Sequence, residues 1–185
     1  SALDSFNVVK ASLVIPVEEH NEMLKKLLAS LPQAKGAGKG KVRLMVCAVN
    51  FNIAADTARI ADRFGASVVT DDFTNGVRYS SNMIDTSGDP LRALAKGYLM
   101  QIPSPGVYSF QKRADFIETT MKNAGAKGLI YLVQQYCDAF AFEYAILKEK
   151  FDATGLSYLQ LEAEDTPASV EHLNVRIQSF IESLS

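Results

Sequence analysis

Apolar residues in this chain recur at two spacings, and the alternation between them lays out the elements. From Glu18 to Leu31, Met23, Leu24, Leu27, Leu28 and Leu31 share one face of a 3.6-residue period, which predicts a helix ended by Pro32. The stretch 33–41, "QAKGAGKGK", has nothing to bury and reads as a flexible, solvated linker. Short β-rich runs and helical patterns then follow in turn. "VRLMVCAV" (42–49) reads as a buried strand, and "AADTARIADRFG" (54–65) as a helix closed by Gly65. "SVVT" (67–70) is a second strand. "DPLRALAKGYL" opens a helix with Asp89 as N-cap and Pro90 in the first turn, and a further helix is expected from about Phe110 to Ala124. The third strand is "GLIYLV" (128–133), followed by a helix from about Ala139 to Ala153 and a fourth strand, "SYLQLE" (157–162). A last helix from Pro167 should bury Val170, Leu173, Ile177, Phe180, Ile181 and Leu184.

Strands that are apolar on both faces and alternate with helices form parallel sheets covered by helices. The fold class expected is therefore α/β: an open, doubly wound, parallel four-stranded sheet of the flavodoxin or Rossmann-like kind. The division expected is a connecting helix region over 1–32, the linker 33–41, and an α/β lobe over 42–185. With strand order 2-1-3-4, the ligand crevice lies at the carboxyl ends of the strands, between the first and third. "NFNI", "DDFTNGVRY", "QQYCDAF" and "EAEDTP" would face it.

Composition narrows the classes. Hydrophobic residues make up 48% of the 185 and charged residues 22%, as in an ordinary globular domain large enough for a real core. Nineteen basic against 21 acidic residues leave no electrostatic footprint for nucleic acid. The longest apolar run, Leu44 to Val49, is strand-sized, so no membrane span is expected, and no secretory signal pattern is visible. Two cysteines do not make a disulfide framework, which points to free thiols in a reducing, cytoplasmic setting.

Several motifs fall away on context. "GAGKG" (36–40) precedes a strand instead of joining strand to helix, and it lacks the Lys-Ser/Thr ending of a phosphate loop. No G-x-G-x-x-G follows the first strand. His20 and His172 sit on amphipathic helices away from the crevice, without metal-ligand spacing to a cysteine. Asp71-Asp72 follow the second strand, whereas a phospho-acceptor set needs acids after the first and third. Two readings stand for "DDFTNGVRY". It is either a crevice loop presenting Asp71, Asp72, Arg78 and Tyr79, or a turn with Asp as a cap and Arg78 in a structural ion pair. Two stand for Cys137 also. It is a half-buried small hydrophobe, or a thiol at the crevice mouth placed to ligate a metal or attack a substrate. Cys47, inside an apolar strand, belongs to the core.

Taken in order, "DDFTNGVRY", "GDPLRALAKGYL" with "IPSP", "GLIYLVQQYCDAFAFEYAILKEKFDATGLSYLQLEAED" and "SVEHLNVRIQSFIE" resemble the 2-hydroxyglutaryl-CoA dehydratase D-component family, which includes benzoyl-CoA reductase subunits. The most specific element is aromatic-Cys-Asp after a buried strand, followed by a Tyr-x-x-Leu-Lys helix. The resemblance implies a longer protein with two α/β lobes, of which this chain is the C-terminal one with its connecting helix. It implies a lyase subunit, a 2-hydroxyacyl-CoA dehydratase or a related reductase, that is active in full-length form and inactive as this lobe alone. It further implies a [4Fe–4S] cluster in the full-length protein, with Cys137 as the one ligand from this half and none bound by the lobe alone. In such enzymes one electron enters the thioester, and the resulting ketyl radical expels hydroxide and acidifies the β-proton. The implied partners are a homologous second subunit, an ATP-dependent iron–sulfur activator protein and an acyl-CoA, with Asp71, Asp72, Arg78, Tyr79 and Gln134 facing the substrate. Family members often carry a basic residue shortly before the cysteine, whereas Gln134-Gln135-Tyr136 stand here, which points to different hydrogen bonding near the cluster. A non-catalytic binding or partner-subunit lobe without a functional cluster is the alternative.

Overall fold

A computed structural model describes residues 1–33, 41–49, 51–102, 104–164 and 167–185. The β-rich runs form strands β1 (Val42–Cys47), β2 (Ala66–Asp72), β3 (Gly128–Gln134) and β4 (Tyr158–Ala163). They assemble in the order β2-β1-β3-β4, with every neighbouring pair parallel. This is the open α/β sheet expected, with its switch point between β1 and β3. Helices α1 (Ala2–Ser12), α3 (Phe51–Arg63) and α8 (Pro167–Ser183) share one core with the sheet face that carries Leu44, Val46, Ile130 and Leu132. Helices α6 (Phe110–Ala124) and α7 (Asp138–Thr154) cover the opposite face, which carries Met45, Cys47, Leu129, Tyr131 and Val133. The alternation along β1 and β3 is the two-residue period of a strand buried on both sides.

Helix α8 buries Leu173, Ile177 and Ile181 as its periodicity requires. A Cβ placed on Gly128 would stand 2.5 Å from the Leu184 side chain and 2.9 Å from the Phe180 ring, so the end of α8 packs closely over the start of β3. Cys47 is wholly inside the second core, as its place in β1 demands.

Helix α1 has no strong sequence signature, yet it is integral to the packing. Phe6 is buried and its ring lies 5.2 Å from Phe73 and 6.0 Å from Phe51. Helix α2 (Val17–Ser30) realises the helix expected over 18–31 and continues into a 3-10 turn at Leu31–Gln33. It buries none of its residues, and His20 ties it to α1 through a 3.0 Å contact with the Val8 carbonyl. The expected linker 33–41 falls largely on 34–40, outside the described residues, while Lys41 pairs with Asp62 at 2.7 Å.

Strand β2 holds a feature that the periodic pattern does not disclose. Leu44 pairs with Val68, but Met45 pairs with Thr70, so Val69 is an extra residue in the ladder. One inserted residue exchanges the two faces for everything beyond it. Asp71 consequently shares the face of Val46, and Asp72 shares the face of Cys47 and of α6 and α7. Both aspartates belong to the strand end rather than to the loop in which the sequence pattern set them.

Candidate functional site

The carboxyl end of the sheet is organised by buried charge. Asp72, fully buried, stands 3.0 Å from Nε of Arg78 and 2.5 Å from Nη2 of Arg113. Both are ion-pair contacts outside hydrogen-bond alignment, and Arg113 Nη1 meets no acceptor among the described residues. Arg113 then forks onto Glu143 through bonds of 2.8 and 3.0 Å, and the Tyr131 hydroxyl donates to Glu143 at 2.6 Å. All five side chains are withdrawn from solvent. Two carboxylates face two guanidinium groups, so the cluster is neutral. Burial alone would lower the Arg113 pKa, but Glu143 and Asp72 outweigh it and raise it, which keeps the cation charged. Burial, reinforced by the Glu143 charge, pushes the Tyr131 hydroxyl up and keeps it a donor. The cluster links β2, α6, β3 and α7 with the one-turn helix α4 (Val77–Ser80), which carries Arg78.

Sequence reasoning passed over Arg113, Tyr131 and Glu143, although a signal existed. Phe140, Glu143 and Leu147 fall at helical spacing on the buried face of α7, as do Arg113, Ile117 and Met121 on α6. A charge on each of two facing apolar stripes announces a buried pair.

Asp71 points to the opposite face. Its Oδ1 accepts from the Phe73 and Val77 backbone N–H groups at 3.3 and 2.9 Å, folding the 73–77 turn that carries Arg78 and Tyr79. A Cβ on Gly76 would collide with that carboxylate, so the turn needs glycine. Burial raises the Asp71 carboxyl to about 6. A raised carboxylate pKa means that the folded chain keeps a proton the unfolded chain has already lost. Stability therefore falls as pH rises from about 4 to about 6, and the full cost remains above that. Asp71→Asn keeps the acceptor without the charge. It should match wild type near pH 4 and exceed it by about 3 kcal/mol above pH 7, read from denaturant midpoints across pH. A difference that does not change with pH would refute the assignment.

Cys137 occupies the corner between β3 and α7. The chain leaves Gln134, whose carbonyl accepts from the Cys137 N–H at 3.0 Å, and passes through Tyr136 in the left-handed region at φ 65°. Such a conformation costs a non-glycine residue about 1–3 kcal/mol and persists only where its surroundings impose it. It turns the chain so that Cys137 becomes the N-cap of α7, half-buried against the second core, with Tyr136 almost wholly in solvent. Helix N-termini present N–H groups without intrahelical partners, so a ligand held at this corner would meet donors.

A cleft of about 500 Å³ opens beside this corner. Arg78 and Tyr79 line it together with Thr74, Tyr98, Tyr108 and Lys112. Tyr98 comes from α5 (Pro90–Met100), a helix capped by Asp89, which accepts from the Arg92 N–H at 2.8 Å. Asp71, Asp72, Gln134 and Cys137 do not line the cleft. Gly106, between the lining residues Ser104 and Val107, approaches the first turn of α7, where a Cβ on it would lie 3.0 Å from Ala139. The structure thus brings Arg78 and Tyr79 to the cleft, sets Asp72 behind Arg78, and places Gln134 with Cys137 in the adjoining turn.

The family model for the 2-hydroxyglutaryl-CoA dehydratase D-component matches residues 1–184. The chain belongs to this family. Its relatives include a benzoyl-CoA reductase subunit from Thauera aromatica, 24% identical over 98% of this chain and 48% of the relative. Lactoyl-CoA dehydratase subunit beta of Anaerotignum propionicum is 25% identical over 99% of this chain and 49% of its own length. The subunit beta of (R)-2-hydroxyglutaryl-CoA dehydratase from Acidaminococcus fermentans is 24% identical over 96% and 48%. The chain spans about half the length of the curated relatives it matches, and each of these is a subunit of its enzyme. Among the described residues, no helix is long and apolar enough to cross a membrane.

Proposed function

We propose that this chain is one α/β lobe of a subunit of a 2-hydroxyacyl-CoA dehydratase, or of a related benzoyl-CoA reductase, acting on an acyl-CoA thioester. The observation that carries the reading is Cys137: in a chain of this family, it sits half-buried on a turn that caps a helix at the sheet's carboxyl end. The group implied is a [4Fe–4S] cluster, which wants about four ligands, mostly thiolates. Among the described residues there is no group of three or more His, Cys, Asp and Glu able to hold a metal. Cys137 therefore fits as a single ligand at a shared site, and the remaining ligands come from outside the described residues. Bound there, the cluster would supply a low-potential electron, delivered by an ATP-dependent activator protein.

The chain's own residues do the positioning. The Gln134 carbonyl and the left-handed Tyr136 fix the corner, while the bond from Arg113 to Glu143 anchors the helix that Cys137 caps. Arg78 and Tyr79 face the substrate, Asp71 shapes their turn, and Asp72 holds the Arg78 guanidinium.

The test is anaerobic iron and acid-labile sulfide analysis of the full-length subunit, wild type beside Cys137→Ala. The variant should lose its cluster or hold it only transiently. Equal, stable content in both would remove Cys137 from the ligand set and favour a scaffold lobe without a functional cluster. In the 185-residue chain, Cys137 should react with iodoacetamide roughly tenfold or more faster than Cys47, whose thiol burial both encloses and pushes well up. Equal rates, followed by mass spectrometry, would contradict the exposure of the corner.

A further inference from the structure

The cleft beside the Cys137 corner has a chemistry of its own. Three of the chain's seven tyrosines, Tyr79, Tyr98 and Tyr108, stand around it and are 54%, 59% and 87% exposed. Two cations line it: Lys112 in the open, and Arg78, which is buried and held by Asp72. Among the described residues no aspartate or glutamate lines it, in a chain whose net charge is −2. The neighbouring cleft along α5 differs, because Asp85 and Asp89 stand there beside Arg92 and Lys96. Hydroxyls of Thr74 and Ser104 complete the polar lining. A volume of about 500 Å³ falls within the range of roughly 300–1,000 Å³ typical of small-molecule sites.

Exposed aromatic faces take flat π-systems, and an ammonium on a wall free of carboxylates takes a phosphate. A planar base that carries phosphate satisfies both at once, whereas an uncharged acyl chain would leave Lys112 unused. We propose that this cleft seats the adenine-nucleotide end of the acyl-CoA, with the base against the tyrosine rings and a phosphate at Lys112. This rests on the acyl-CoA reading above. The thioester end would then extend from the cleft toward the α7 N-terminus, which Gly106 approaches.

Isothermal titration of the 185-residue chain with coenzyme A, ADP and pantetheine tests the site, with circular dichroism melts to confirm that each variant folds. Coenzyme A should bind, ADP should compete with it, and pantetheine should not. Lys112→Glu and Tyr108→Ala, both on exposed positions, should each weaken coenzyme A at least roughly tenfold. Lys127→Glu, the same charge change at the amino end of β3, should leave it unchanged. ADP binding without coenzyme A binding would make this a site for a free nucleotide and overturn the proposal. So would competition by pantetheine, indifference to Lys112→Glu, or no binding at all. If any of these occurs while Cys137→Ala still strips the cluster from the full-length subunit, the site falls and the enzyme reading stands. If coenzyme A binds as expected while the cluster survives Cys137→Ala, the reverse holds.

Discussion

Arg113→Met is expected to destabilise the domain by roughly 3–5 kcal/mol, the cost of leaving a buried charge without its partner. The guanidinium is fully buried between Asp72 and Glu143, so its removal strands two carboxylates at once. Among the described residues, Asp72 then keeps Arg78 alone and Glu143 the Tyr131 hydroxyl alone. Glu143→Leu should also destabilise, because Arg113 would then lean on Asp72 alone. The double variant should cost clearly less than the two single losses together, since it removes a charge of each sign and substitutes apolar volume. Guanidinium unfolding with an unchanged slope is the measurement. If Arg113→Met costs under about 1 kcal/mol, water reaches this cluster and its role in anchoring α7 fails.

Phe73→Ala should be comparably severe, at about 3–5 kcal/mol. Phe73 follows directly on β2, is 1% exposed, and lies in edge-to-face contact with both Phe6 and Phe51. Removing the ring leaves a cavity where α1, α3 and the sheet meet. Hydrogen exchange should show it locally: amides of α1 should lose protection well beyond the global loss, while those of β3 follow the global change. A cost under about 1.5 kcal/mol with α1 protection intact would mean that α1 is held elsewhere.

Much of this architecture was legible in the residue pattern, and the gaps have physical causes. Long periodic segments declared themselves. The helices at 110–124 and from 167, the strand at 128–134 and the Asp89 cap all rest on local chemistry, and the structure places them as the sequence implies. Periodicity marks a face without saying what covers it. The apolar stripe of α2 marks one face, yet Met23 and Leu28 on it are about half exposed among the described residues. Helix α1 was the converse, with a modest pattern and one phenylalanine that decides its position. The extra residue at Val69 left no local trace, because its effect appears only against a partner strand. It nevertheless sends Asp72 toward Arg113 and Asp71 toward a turn, two roles that adjacent identical residues could not disclose. Cys137 and Arg78 were singled out because each sits at a place the topology makes special. Arg113 and Glu143 were missed because their importance lies in meeting each other.

The strand order carries a consequence for how the chain reaches this state. The edge strands pair through short βαβ units, β1–α3–β2 and β3–α7–β4, each local in sequence. The central seam, where Leu44 lies beside Gly128, instead joins distant parts of the chain and requires a long loop to close before any contact rewards it. Assembly should accordingly run from two half-sheets toward the middle. Pulse-labelled exchange during refolding should protect α3 and α7 amides before those bonded across β1 and β3, and simultaneous protection would exclude this order. Arg113, on the crossover helix α6, ties Asp72 of one half to Glu143 of the other, so the chain can desolvate these charges together only once the halves have met. The cluster that steadies the finished domain thus serves, during folding, as a check on the register in which its halves join.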